Sequence, residues 1–336
     1  VVATLPDIGL LEPVVLRGVV EKLQTPETLI MKNRIPSGPW PYPVARWDVI
    51  RGSRAVARPN VPNSEAHIVP RLGRSQESAS FIYLREKKIF EPTTLHWLRE
   101  PGQLAAINAE KAVLREINDL NIRFDNFVEF CSWQALKGRI VLDYTDVQAD
   151  IDYKFTTAHK PTASTLWTTA TVPQIISDIR AWKRLIQRDG QVPVREAFAT
   201  ENTLALIFEA FARDNNAAGL MSDRMRDEYY SSGMLPGFLG MNWIAVESIY
   251  ETDDGTQTRF LEEGTLILAN MEDNRPIEFL EGPTADDDAP PGHTGKFSKT
   301  WKEEDPSHRQ YLLEYSFLPI ITRPEQFVVA SVGVHP

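Results

Sequence analysis

The sequence predicts an α+β protein organised around one long helix, and three observations carry that prediction. Residues 102–136 show a helical apolar period, with Leu104, Ile107, Leu114, Ile117, Leu120, Phe124, Phe127, Cys131 and Ala135 three, four or seven apart on one stripe. Strand-like runs lie on both sides of it. Between the first apolar residues and that helix, residues 33–80 mix seven prolines and seven arginines with Trp40, Tyr42, Trp47, Val49, Ile50, Val56, Ile68 and Val69. That stretch is too apolar for a disordered linker and too broken by proline to close a core of its own.

Length and composition bound the rest. The chain has 336 residues, enough for two domains, and at 42% hydrophobic and 24% charged it is not disordered throughout. A net charge of −10 argues against a nucleic-acid grip, which needs a basic face. The single cysteine, Cys131, has no internal disulfide partner and sits on the helical stripe, where a small buried core residue is expected. Asp7, Glu12 and Arg17 interrupt the apolar N-terminal run and no basic segment precedes it, so neither a signal peptide nor a membrane span is expected.

In chain order, residues 11–29 read as a short helix followed by an extended arm. Strands are expected near 46–50 and 66–69, with turns at 52–53 and 60–63. Ordering such a long excursion costs roughly 1–2 kcal/mol per residue, so it needs contact area from elsewhere, and a neighbouring copy of the chain is the expected source. A β-rich lobe folded on its own chain is the other reading. Residues 81–98 return to strand alternation and lead into the long helix. That helix has a weak point at 118–126, where Asn and Asp are poor helix formers, and Gly138 stands where a left-handed C-cap is wanted.

After Gly138, residues 139–144 and 149–155 read as a hairpin with an acidic turn. Thr171 caps a second helix with Pro173 in its first turn and Gly190 as its stop. Residues 192–198 are a strand, Asn202 caps a helix over 204–211, and 223–230 form a short polar helix. Strands at 243–250, 259–261, 265–269 and 311–318 are expected to complete one mixed sheet, giving an α/β lobe over about 171–270. Residues 281–302, with Asp286, Asp287 and Asp288, read as an exposed acidic loop, and 326–332 as a final strand.

Chemistry is hard to find in this chain. It has no phosphate-cradling glycine loop, no nucleophile elbow, and its histidines make no pair at metal-ligand spacing. Asp143, Asp146, Asp150 and Asp152 could gather a hard cation at a hairpin tip, but no glycine-pinned loop accompanies them and a solvated turn is the simpler reading. The arginines of 33–80 could hold phosphates, yet Asp48, Glu65 and Glu77 lie among them and favour pairing within the protein. No catalytic, cofactor or metal residues are therefore assigned.

Several stretches then resemble a known family. Residues 16–35 (LRGVVEKLQTPETLIMKNRI), 49–51 before Gly52, 92–98 (PTTLHWL) with the long helix and its Ala135-Leu136-Lys137-Gly138 exit, 260–270 (FLEEGTLILAN) and 318–332 (LPIITRPEQFVVASV) are similar to the major capsid proteins of tailed phages, in particular the lambda-type protein E family.

The resemblance implies a tailed-phage major capsid fold. Its parts would be an N-terminal arm (1–32), an extended β-hairpin loop (33–86), a peripheral domain with the spine helix and a hairpin (87–155), an α/β axial domain (156–316) and a C-terminal strand (317–336). It implies a non-enzymatic protein of the virion, made in the host cytoplasm. Copies would assemble as pentamers and hexamers into an icosahedral head around double-stranded DNA, without cofactor or membrane. Scaffolding, portal and decoration proteins are the further partners it implies. Trp40, Trp47, Ile50, Arg51 and Arg54 are the expected inter-subunit contacts. Residues 33–86 contain no lysine, so the lysine-to-asparagine links that join subunits in some relatives are not expected from that loop. A cellular encapsulating shell with protein cargo, or a metal-dependent enzyme using the 143–152 aspartates, are the alternatives.

Overall fold

The computed structural model describes residues 29–50, 74–91, 105–144, 147–213, 237–252, 254–305 and 307–333, with scattered positions between 56 and 68 and residues 227 and 231. The chain begins with α1 (Ile30–Arg34), β1 (Ser37–Pro39), β2 (Val44–Ile50), β3 (Arg74–Ser80) and β4 (Ile82–Phe90). The spine helix α2 (Ala105–Leu136) follows, then the hairpin β5 (Arg139–Asp143) and β6 (Gln148–Asp152). Next come α3 (Val172–Asp189), β7 (Glu196–Ala199), α4 (Glu201–Arg213), β8 (Asn242–Ala245), β9 (Ile249–Glu251), β10 (Gln257–Arg259) and β11 (Thr265–Ala269). The last strands are β12 (Ile277–Glu281), β13 (Phe297–Glu304), β14 (Ser307–Ile321) and β15 (Phe327–Ser331).

These elements group into two compact units. The first takes the described residues of 1–45, 78–132 and 278–319; the second takes those of 46–77, 133–277 and 320–336. In the first, a sheet ordered β1-β12-β14-β13 also holds β4 against β14. β1 runs parallel to β12, while β13 and β4 are antiparallel to β14. Residues 310–321 of β14 are buried without interruption, as on a central strand covered on both faces, and Gln310, Glu314 and Ser316 are buried among the apolar residues. Strand β4 keeps the expected alternation, with Ile82 and Phe90 buried and Tyr83, Arg85, Lys87 and Ile89 outward.

The spine helix is one 32-residue element, about 48 Å at 1.5 Å per residue. Ile117, Leu120, Phe124, Cys131 and Ala135 are buried as the apolar period requires, together with Val113 and Val128. The expected weak point at 118–126 does not break it. Asn121 and Asp125 are buried and meet Lys296, so tertiary partners compensate for poor helix propensity. Gly138 has φ +93°, and a Cβ there would stand 3.0 Å from Phe155 and Lys160 side-chain atoms. Both the left-handed cap and the close packing require glycine.

In the second unit a mixed sheet ordered β15-β11-β7-β8 carries α3 and α4. Trp167 and Trp182 stack at 6.1 Å in a core that includes Ile175, Ile179, Leu204, Phe211, Trp243 and Leu266. Helix α3 has the expected Thr171 cap, whose backbone N–H donates to Gln174 Oε1 at 2.9 Å, and Pro173 in its first turn. Gly190 ends it for a different reason from Gly138: its φ is −83°, and a Cβ would come within 2.8 Å of the Glu325 carbonyl oxygen.

The structure corrects five expectations. Strand β2 pairs with the polar strand β3, and the strand expected at 66–69 is not seen at its described members, Ala66 and Ile68. Pro70 follows them, and the polar RSQESAS of β3 lacks the apolar alternation that marks a strand in sequence. Helix α4 is capped by Thr200, whose Oγ1 accepts from Thr203 N–H at 3.3 Å; Asn202 lies in the first turn and donates to Glu263. Residues 243–250 divide into β8 and β9, and β9 pairs with β10 in a separate ribbon. Residues 311–318 belong to the sheet of the first unit, since strand pairing depends on contacts distant in sequence. Residues 281–302 are not an exposed loop. Asp286 is buried, Pro283 bridges Thr294, and β13 starts inside the range on the buried Phe297 ring. The expected helix over 223–230 lies outside the described residues, except for Asp227, which is helical.

Candidate functional site

Residues 29–50 carry the segment that should reach beyond its own fold. Leu29, Met31 and Ile35 are buried in the first unit, so the segment starts from an anchored turn. Glu129 on the spine helix holds that turn: its carboxylate accepts the backbone N–H of Met31 at 3.0 Å and of Lys32 at 2.6 Å. Carboxylate acceptance of the first-turn amides of a short helix is a charge-assisted cap. Strand β1 then continues along β12, and Trp40 N–H donates to the Glu281 carbonyl at 2.8 Å.

Beyond β1 the chain turns outward. Trp40 is half-buried; its Nε1–H donates to the Val44 carbonyl at 3.0 Å, and its ring meets Tyr42 edge-on at 5.7 Å. Tyr42 itself is 63% exposed, and Val56 and Ile68 are each 89% exposed. In β2 the alternation puts Ala45, Trp47 and Val49 inward, with Val44 and Arg46 outward. Trp47 is 7% exposed and packs on Tyr153 at 6.3 Å between ring centroids. Lys154 Nζ lies 2.7 Å from both Glu77 carboxylate oxygens, and Arg74 pairs with Asp48 at 3.4 Å. The ribbon of β2 and β3 is thus pinned at one end within its own unit.

Of the five residues expected at subunit contacts, Trp40 and Trp47 have described side chains. Ile50 is described as the backbone end of β2, and Arg51 and Arg54 lie outside the described residues. Burial assigns Trp47 to the hold on Tyr153, which leaves the Trp40–Tyr42 pair and Val44 as the outward apolar surface.

Each described aspartate of the hairpin already has a hydrogen-bond partner. Asp150 forms a two-point pair with Arg139, through Nε at 2.7 Å and through Nη2, and Arg139 draws the Asp150 carboxyl below the ordinary range. Asp152 accepts Lys154 N–H at 2.8 Å, Asp143 accepts from Gln148, and Asp146 lies outside the described residues. Among the described residues no three His, Cys, Asp or Glu side chains are placed to hold a metal ion. Cys131 is fully buried, and burial pushes its thiol far up, away from nucleophile chemistry.

Two polar groupings escaped the reading of the sequence. Asn121, Asp125 and Glu129 recur every fourth residue on the spine helix and are all buried. That polar row beside the apolar stripe was the signal available. The second is Asp286, which bonds to Lys299 Nζ at 2.8 Å and pairs with Arg85 at 3.4 Å, with buried Glu314 accepting Ala285 N–H at 2.7 Å. It joins residues far apart in sequence and left no local trace.

The comparisons with known proteins fit an assembly surface better than a reaction centre. The family model described as phage major capsid protein E matches residues 12–332. Among solved structures, the chain is similar to a prophage capsid protein of Escherichia coli, with TM-score 0.60 and 15% identity over 77% of this chain and 80% of that one. It is similar to the capsid of Ralstonia phage GP4, with TM-score 0.53 and 9% identity over 94% and 93%. The encapsulin of Synechococcus elongatus matches with TM-score 0.52 and 8% identity over 93% and 91%. No curated protein matches significantly in sequence. A single unbroken spine, a sheet lobe with two helices, an outward apolar segment and a family match over nearly the whole length lead to one conclusion: the chain belongs to the phage major capsid protein E family and is a building block of the icosahedral phage head.

Proposed function

We propose that copies of this chain form pentamers and hexamers in which the outward residues of the 33–86 loop contact the adjacent subunit. The observation that carries this is the exposure of Tyr42, Val44, Val56 and Ile68, four large apolar side chains within one stretch of sequence. Exposed apolar surface of this kind is best covered by a partner, and obligate interfaces bury about 2,000–5,000 Å². Trp40, Trp47, Ile50, Arg51 and Arg54 remain the candidate contact residues of this segment.

In this reading residues 1–32 are the arm, 87–155 the peripheral domain with the spine, 156–316 the axial domain at each capsomer centre, and 317–336 the returning strand. The shell forms in the host cytoplasm, with scaffolding, portal and decoration proteins as candidate partners, and encloses double-stranded DNA without sequence readout. The net charge of −10 supports containment rather than grip.

The test is Tyr42→Ala combined with Arg51→Ala and Arg54→Ala, followed by negative-stain imaging at matched concentration. Shell yield should fall at least tenfold while the subunit stays folded by circular dichroism. Undiminished yield would sink the interface. The encapsulin likeness in fold favours a cargo shell as the second reading, and nuclease-protected DNA against a folded protein inside purified particles separates the two.

A further inference from the structure

The polar row on the spine helix ends in a grouping with its own chemistry. Asn121 and Asp125 are one helical turn apart on the same face, 2% and 0% exposed. Lys296, which directly precedes β13, reaches both of them. Its Nζ donates to the Asn121 carboxamide oxygen and, at 2.7 Å, to Asp125 Oδ1. The Tyr315 ring closes one side, with its centroid 6.0 Å from the Lys296 nitrogen, and Lys32 lies over the same ring at 5.7 Å. A largely buried amine therefore touches both a buried carboxamide and a buried carboxylate within one unit.

We infer that Lys296 and Asn121 form an intramolecular isopeptide bond, with Asp125 carrying the proton. Asp125 takes a proton from the ammonium, which leaves a neutral amine beside a neutral acid. The Nζ lone pair attacks Cγ of Asn121 and the new C–N bond forms. Asp125 accepts the second Nζ proton as it returns the first to the carboxamide nitrogen, the old C–N bond breaks, and ammonia leaves. Atoms and charge balance without oxidant or cofactor.

Two physical effects favour the step. Burial lowers the pKa of the Lys296 amine, and the nearby Lys32 charge adds to that, while Asp125 and Glu281 act in the other direction. Fixed neighbours also replace a bimolecular encounter, and well-oriented intramolecular reactions reach effective molarities of about 10⁵–10⁸ M. The bond would tie the spine helix to the start of β13 inside a single chain, closing a loop across 175 positions, and it would join no two subunits.

The experiment is peptide mapping of the full chain taken from assembled shells. After denaturation and tryptic digestion, mass spectrometry should find a branched peptide joining the Asn121 and Lys296 segments, lighter than the sum of its parts by one ammonia, about 17 Da. Cleavage after Lys296 should be absent. Linear peptides carrying unmodified Asn121, with normal cleavage after Lys296, would overturn the inference and leave a buried ion pair only. This outcome is read on the native chain, so it does not depend on a variant folding. As a second readout, the denatured chain should migrate faster in a gel than Lys296→Arg, which keeps the cation and cannot form the bond. Asp125→Asn should likewise restore the linear peptides; a branched peptide persisting in that variant would remove Asp125 from the mechanism.

Discussion

Asp286 shows how one buried carboxylate can set the acid limit of a fold. Burial alone would raise its pKa, but the hydrogen bond from Lys299, the N–H of Asp288 at 3.0 Å and the charges of Lys299 and Arg85 more than offset that and hold it below the ordinary value. A folded pKa below the unfolded one adds stability that is fully present above about pH 3.9 and is lost as pH falls through the lower folded value. Equilibrium unfolding followed from pH 5 downwards should show this loss, and Asp286→Asn should flatten that limb of the curve. An unchanged slope in the variant would assign acid sensitivity to other groups. Glu129 acts on the same scale: it holds a turn 98 positions away in sequence, and the spine helix thereby anchors the segment that leads to the outward surface.

At the scale of elements, caps and periods were readable where the determining residues are neighbours. Thr171, Pro173 and Gly190 bound α3 as their chemistry requires. Helix α4 shows the limit of such reading. Asn202 is a good cap by residue type, yet Thr200 holds the position because its oxygen accepts the Thr203 amide at 3.3 Å. Thr200→Ala should cost about 1 kcal/mol in urea unfolding, whereas Asn202→Ala, which loses an exposed bond to Glu263, should cost less than about 0.5 kcal/mol. Equal effects would mean the cap is misassigned. The spine makes the opposite case: Asn and Asp at 121 and 125 marked a weak point by propensity, yet both are buried and held by Lys296, and the helix runs through unbroken.

For the whole molecule, the acidic balance bears on how a container treats its contents. Subunits with a net charge of −10 should show no gel shift with double-stranded DNA at about 0.15 M salt, and lowering the salt tenfold should not produce one. Tight, salt-sensitive binding would point to a concentrated basic face and to an active role in holding the genome. The sequence by itself determined the spine, the second helix with its caps and the β5–β6 hairpin. Each follows from periodicity or turn chemistry among residues close in the chain. Only the tertiary structure decided that residues 311–318 join the first sheet, that Asp286 is buried, that Trp47 faces its own chain, and that Lys296 meets Asn121 and Asp125. Those outcomes depend on which distant groups meet once water is excluded, because a buried polar side chain is stable only beside a partner that local sequence does not name.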